Sequence, residues 1–178
     1  MKTIVILLTA VLLTAALLFG MAAPAAAAAE RIEVRSIEYD CFTGLDAEWA
    51  EGQIYHLRNV RHTNLNFSSS PLLTGINTTL ADAEFNLLTG GMVIRGTSSI
   101  QPEGIDGTWE GSWVFISNNG VLKGSSVAHG TGELSGKTLF VSMYDAPYDP
   151  IIETICAGIG APEGVMVVEG YILETGKP

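Results

Sequence analysis

Cysteine, histidine and positive charge are all scarce in this chain, and each shortage closes off a class of function. Its 178 residues contain two cysteines, three histidines and nine lysines and arginines, against nineteen aspartates and glutamates. So few thiols rule out a cysteine-built zinc centre and a densely stapled scaffold. The histidines show no H-x-H or H-x-x-E-H spacing, so no metal site is expected. A formal net charge of −10 is repelled by phosphate backbones and anionic membrane surfaces, which argues against nucleic acid as a partner. Long amphipathic helical stretches are missing too, as are a G-x-S-x-G nucleophile elbow and a P-loop Lys-Ser/Thr pair. No cofactor is implied.

What is present begins at the N-terminus. Lys2 precedes an apolar run from Ile4 to Gly20, and small residues follow as far as Ala27-Ala28-Ala29. A charged start, an apolar centre and an A-x-A-type end are the layout of a secretory signal peptide, read here as residues 1–29, with an uncleaved anchor as the alternative. The expected location is therefore secreted or periplasmic. No second apolar run is long enough to cross a bilayer, so no stable membrane insertion is expected once the leader is removed. Losing Lys2 with the leader leaves residues 30–178 at a net charge of −11. In an oxidising compartment Cys41 and Cys156 are expected to pair, and closing so long a loop contributes about 4–5 kcal/mol in chain-entropy terms. Two separate buried thiols are the alternative.

Residues 30–178 read as one domain, since about 150 residues build a single core. Short runs rich in Val, Ile, Thr and aromatics recur between glycine-marked turns, the pattern of an antiparallel all-β fold. Arg31–Asp40 predicts a first strand in which Ile32 and Val34, then after a slip Ile37 and Tyr39, alternate with charges. Residues 43–51 predict a loop or helical turn. Gln53–Phe67 predicts a long extended stretch bent near Asn59, and Pro71 stops it. Leu73–Thr79 and Ala81–Leu88 follow as two strands, then Met92–Ile100 after Gly90-Gly91. Thr108–Ser117 has the clearest period of two, with Trp109, Gly111, Trp113 and Phe115 on one face. After the Asn118-Asn119-Gly120 turn, Val121–Glu133 and Lys137–Tyr144 pair back. Residues 145–163, with three prolines, predict a long loop, and Val165–Glu174 the last strand. Eight or nine strands joined mostly by hairpins must hide two edges. The fold expected is a single antiparallel, mostly up-and-down β-barrel of about eight strands, with a β-sandwich as the alternative.

Two features bear on function. Leu122, Gly124, Ser126, Ala128, Gly130 and Gly132 give one strand a face of mostly small residues beside the tryptophans of its neighbour. Packing of large against small explains this, and so does a smooth cavity wall. The expected wall residues are Trp109, Trp113, Phe115 and Phe140. The second feature is His129, set among small residues, with Glu110 and Glu133 as carboxylates on adjacent segments. Together they are the candidate catalytic group, a histidine that pins strand register being the bland alternative. An unbroken strand would also set His56, Arg58, His62, Asn64 and Asn66 on one face, though residues six apart lie roughly 20 Å apart and cannot share one ion. Asn66-Phe67-Ser68 and Asn77-Thr78-Thr79 match the glycosylation sequon, a short pattern that arises often by chance.

The stretches Gly107-Thr-Trp-Glu-Gly-Ser-Trp113 and Ala128-His-Gly-Thr-Gly-Glu-Leu-Ser-Gly136, then Cys156 and Gly170-Tyr-Ile-Leu173, resemble a group of exported bacterial proteins. Their domains are similar to the allene oxide cyclase and dirigent type of small β-barrel. The resemblance implies a barrel whose lumen binds apolar small molecules and in some cases steers a cyclisation without a cofactor. No catalytic position of the cyclase is matched, so none is carried over. The leading expectation is a barrel that binds a small apolar ligand. The alternatives are a cofactor-independent isomerase or cyclase working in the lumen, and a non-catalytic envelope or surface interaction module using the acidic exterior and the 145–163 segment.

Overall fold

The computed structural model describes residues 29–118 and 120–174. The expected leader, except for Ala29, lies outside the described residues, as does Asn119 of the expected turn. The strands are β1 (Glu30–Gly44), β2 (Ala47–Glu51), β3 (Ile54–Ser68), β4 (Gly75–Asn86), β5 (Met92–Pro102), β6 (Trp109–Asn118), β7 (Val121–Gly130), β8 (Lys137–Asp145) and β9 (Ala161–Glu174). A 3-10 turn, Gly132–Leu134, precedes β8, and one short helix, α1 (Ile151–Cys156), precedes β9.

Every strand except β2 belongs to one ring, closed because β1 pairs antiparallel with both β9 and β3. An even number of strands lets a meander close with every neighbour antiparallel, which removes both sheet edges. The expected barrel is present, and the sandwich is not. β2 stands outside the ring. It pairs with the first residues of β3 across the turn at Gly52, from Ala47↔Arg58 to Glu51↔Ile54.

Several elements differ from the sequence reading, each for a local reason. β4 is one strand, not two: Leu80, which interrupts the apolar pattern, is simply an outward residue of an unbroken alternation. Residues 47–51 are a strand although all five are exposed, because the β1 pairing stops at Arg61 and leaves the first residues of β3 open on that side. The proline-containing segment after β8 carries α1, and β9 begins earlier than expected, at Ala161.

The bend expected near Asn59 is a β-bulge, with the register to β4 slipping between Leu57 and Val60. Asn59 takes φ 53°, a left-handed conformation that Asn tolerates better than most residues. Its backbone N–H donates to Asp82 Oδ1 at 3.0 Å and its side-chain amide to Asp46 Oδ2 at 3.0 Å. A bulge shifts the alternation by one residue. Leu57 therefore faces inward before it, and Val60, His62, Asn64 and Asn66 face inward after it.

Two apolar clusters hold the molecule together. The larger fills one end of the barrel, where Trp109, Ala128, Leu139 and Ile172 from the strands meet Leu73 of the β3–β4 connection and Leu134 of the 3-10 turn. Trp109 is fully buried, and its indole N–H donates to the Leu72 carbonyl at 2.8 Å. The smaller cluster lies on the outside of the wall, where Ile152 and Cys156 of α1 cover Tyr39, Cys41 and Val165. The expected Cys41–Cys156 disulfide is formed, with Cα atoms 5.4 Å apart.

Candidate functional site

Above the packed end the barrel is hollow. A cavity of about 380 Å³ runs from Leu73, Ile100 and Leu139 toward the opposite rim, where Phe85, Met92, Leu122 and Met143 are only half-buried and Asp145 and Glu163 are exposed. Its wall is divided. Strands β5 to β9 contribute mainly apolar groups, among them Ile94, Trp113, Phe115, Val141 and Met166. Strands β1, β3 and β4 contribute Glu38, Asp40, His62, Asn64, Asn66, Asn77 and Thr79.

The strand registers set this polar quarter. Glu38 lies opposite Asn66, and Asp40 opposite Asn64, which in turn lies opposite Asn77. His62 is paired with Thr79 one step nearer the rim. The Glu38 carboxylate, 8% exposed, accepts the Asn64 amide at 2.9 Å and the Asn77 amide at 3.0 Å, one on each oxygen. Because both Nδ2 groups are committed to Glu38, the amide oxygens of Asn64 and Asn77 are turned elsewhere. Those two oxygens, Asn66 Oδ1 and Asp40 Oδ1 are shielded from solvent and have no hydrogen-bonding partner among the protein groups.

Burial pushes the Asp40 carboxyl well above the usual carboxylate range, and the neighbouring Glu38 adds to the shift, followed by Glu163 and Asp145. Partial desolvation at the rim also raises Asp145, opposed by a hydrogen bond from the Leu122 backbone. At the rim His62 Nε2 hydrogen-bonds Glu163, and Nδ1 lies 3.2 Å from Thr79 Oγ1.

Of the expected wall residues, Trp113 and Phe115 line the cavity. Trp113 is half-buried, its ring lies across Gly96 of β5, and its N–H donates to the Thr97 carbonyl at 3.2 Å. Phe115 lies across Gly124 of β7: a Cβ there would come within 2.4 Å of the ring. The small-residue face thus makes room for the Phe115 ring and also contributes to the lining through Leu122 and Ser126. Trp109 is not a wall residue, being sealed in the packed end. Phe140 faces outward, stacked on Tyr171 at 5.3 Å, because inward positions of β8 have odd numbers.

The candidate catalytic group does not reach the lumen. His129 is exposed on the outer wall, opposite Glu110 in the β6–β7 register, with Nδ1 3.3 Å from Thr138 Oγ1. Glu110 accepts the Ser99 hydroxyl at 2.7 Å, and Glu133 is exposed on the 3-10 turn. The five polar residues of β3 do not share a face either. His56 is outside, stacked on Trp49 at 4.8 Å, and Arg58 reaches Glu84 on the outer surface at 3.3 Å. Asn66 and Asn77, the sequon asparagines, are 3% and 6% exposed and inside the barrel, beyond the reach of a glycosyltransferase once the chain has folded.

Sequence reasoning missed Glu38 and Asp40. Their signal was present: the alternation that starts at Ile32 and Val34 continues without a slip through Ser36, Glu38 and Asp40. Tyr39 and Cys41 drew attention to the other face, which is buried only because α1 covers it. Compared with family models, curated proteins and solved structures, the chain matches none.

Proposed function

We propose that this chain is an exported barrel that binds one small, largely apolar molecule in its lumen. The carrying observation is the cavity of about 380 Å³ between the packed end and the rim. Small-molecule sites span roughly 300–1,000 Å³ and combine a mostly apolar lining with a few convergent polar groups. Here Trp113, Phe115, Ile94 and Met166 supply the apolar part, and the Glu38 cluster supplies the polar part. Export is supported by the leader-like first 29 residues and by the disulfide, a bond that persists in oxidising compartments.

Trp113 provides the assay, because it is the one tryptophan of three that lines the lumen. Intrinsic fluorescence titrated with panels of alkyl and aromatic compounds should change and saturate for at least one class. Trp113→Phe should remove the response, and Trp49→Phe, on the outer wall, should leave it. A flat response to every class argues against the lumen as a binding site. Isomerase or cyclase chemistry based on His129 has less support, since that side chain projects from the outer wall.

A further inference from the structure

Among the lumen-lining residues, amide oxygens without a protein partner are concentrated on β3 and β4. Asn64, Asn66 and Asn77 are 4%, 3% and 6% exposed, and each carries an amide oxygen without a protein partner. All three of these amide oxygens are acceptors. A buried acceptor left unpaired is destabilising, so three on the neighbouring strands β3 and β4 concentrate that demand in one place. Only a group rich in N–H or O–H donors relieves it.

Charge narrows the choice. The lining includes four acidic side chains, Glu38, Asp40, Asp145 and Glu163, and no lysine or arginine among the described residues. His62 is the one basic side chain facing them, and it is engaged by Glu163. Glu38 is nearly buried, and its hydrogen bonds come from the Asn64 and Asn77 amides and the Asp40 carboxyl. A carboxylate taken out of water in this way is strongly stabilised by a cation brought beside it. A bare metal ion would use the acceptors and leave the apolar part of the wall without contacts.

We infer that the lumen is built for an organic cation: an apolar body against Trp113 and Phe115, and an ammonium or related N–H-rich head among Glu38, Asn64, Asn66 and Asn77. This rests on the lumen-binding reading above and adds the chemical class of the ligand. An alcohol offers one donor and no charge. A carboxylic acid, once ionised, brings a further acceptor and a like charge.

The test uses a matched series with one tail, octylamine, octanol and octanoate, followed by Trp113 fluorescence and by calorimetry. The amine should bind at least about tenfold more tightly than the alcohol, the ratio expected of one charge-assisted hydrogen bond, and octanoate most weakly. Glu38→Gln should remove that advantage and leave the alcohol nearly unchanged. Asn66→Leu guards against a Glu38 variant that fails to fold. It should lower amine affinity while holding or raising the melting temperature, because an unpaired buried acceptor is replaced by an apolar side chain of similar size. A merely structural Asn66 would lose stability instead, and that result counts against the assignment.

An alcohol or octanoate that equals or exceeds the amine overturns the cationic head and leaves lumen binding standing. Calcium alone raising the melting temperature, reversed by a chelator, overturns it in favour of a metal ion. Silence from the whole series removes the lumen-binding reading and this inference with it.

Discussion

Trp109 and Trp113 lie four residues apart on the same face of β6, yet they occupy opposite kinds of interior. Both lie opposite a small residue of β7, Gly130 for the first and Ser126 for the second. Around Trp109 the lumen is plugged by Leu73 and Leu134, which come from connections between strands. Around Trp113 no connection among the described residues folds in, and the space stays open. An eight-stranded ring is just wide enough either to fill with its own side chains or to hold one small guest. In this barrel the connections make that choice, one end at a time.

The comparison can be broken most directly at the tryptophans. Trp109→Ala should cost about 3–5 kcal/mol in urea unfolding, through lost burial, a residual cavity and an orphaned Leu72 carbonyl. Trp113→Ala should cost about 1–2 kcal/mol, because it enlarges a space that already exists. Equal losses would mean that the two ends do not differ as described.

Removing the Cys41–Cys156 bond by a double serine substitution should cost about 2–4 kcal/mol. The loss should appear first near the rim, as faster hydrogen exchange in α1 and the start of β9, because α1 is tied to the wall by that bond and a small cluster. Uniform loosening of both ends, with Trp109 becoming solvent-exposed at the same rate, would contradict a local role.

The smallest effect concerns Asp40. Its carboxyl is raised in the folded protein above its usual value of 3.8, so between that value and the raised one the native state holds a proton that the unfolded chain has released. The stabilising contribution is therefore complete below about pH 4 and is lost as pH rises through the folded value, by at most about 1.4 kcal/mol per pH unit. Asp40→Asn, which cannot ionise, should match the parent in acid and become the more stable form toward neutral and alkaline pH. Parallel stability curves for the two proteins from acid to alkaline pH would show that Asp40 does not ionise differently in the fold.

Where the sequence was legible, a strict local pattern was the reason. The alternation of Trp109, Gly111, Trp113 and Phe115 faces inward as expected, and the small residues of β7 lie beside it. Phe140 shows the limit of such reasoning. It is a large apolar residue on a half-buried strand, and parity alone puts it outside, where Tyr171 shields one of its faces. His129 is similar: flanking glycines and alanine make it look enclosed, but a strand exposes every second residue whatever its neighbours are. Glu38 and Asp40 went unread because charged side chains are expected outside, and Asn64 and Asn77 give Glu38 its partners only once β1, β3 and β4 are side by side.

The chain itself determined the strand periodicity, the positions of the turns, the acidic balance and the presence of two cysteines that could meet. These depend on residues close in sequence or on simple sums over them. Ring closure through β1, the hollow beneath the rim and the buried carboxylate held by two asparagines were decided by the assembled fold alone. Each requires residues far apart along the chain to arrive at one register, and a one-residue shift such as the bulge at Asn59 exchanges inside for outside.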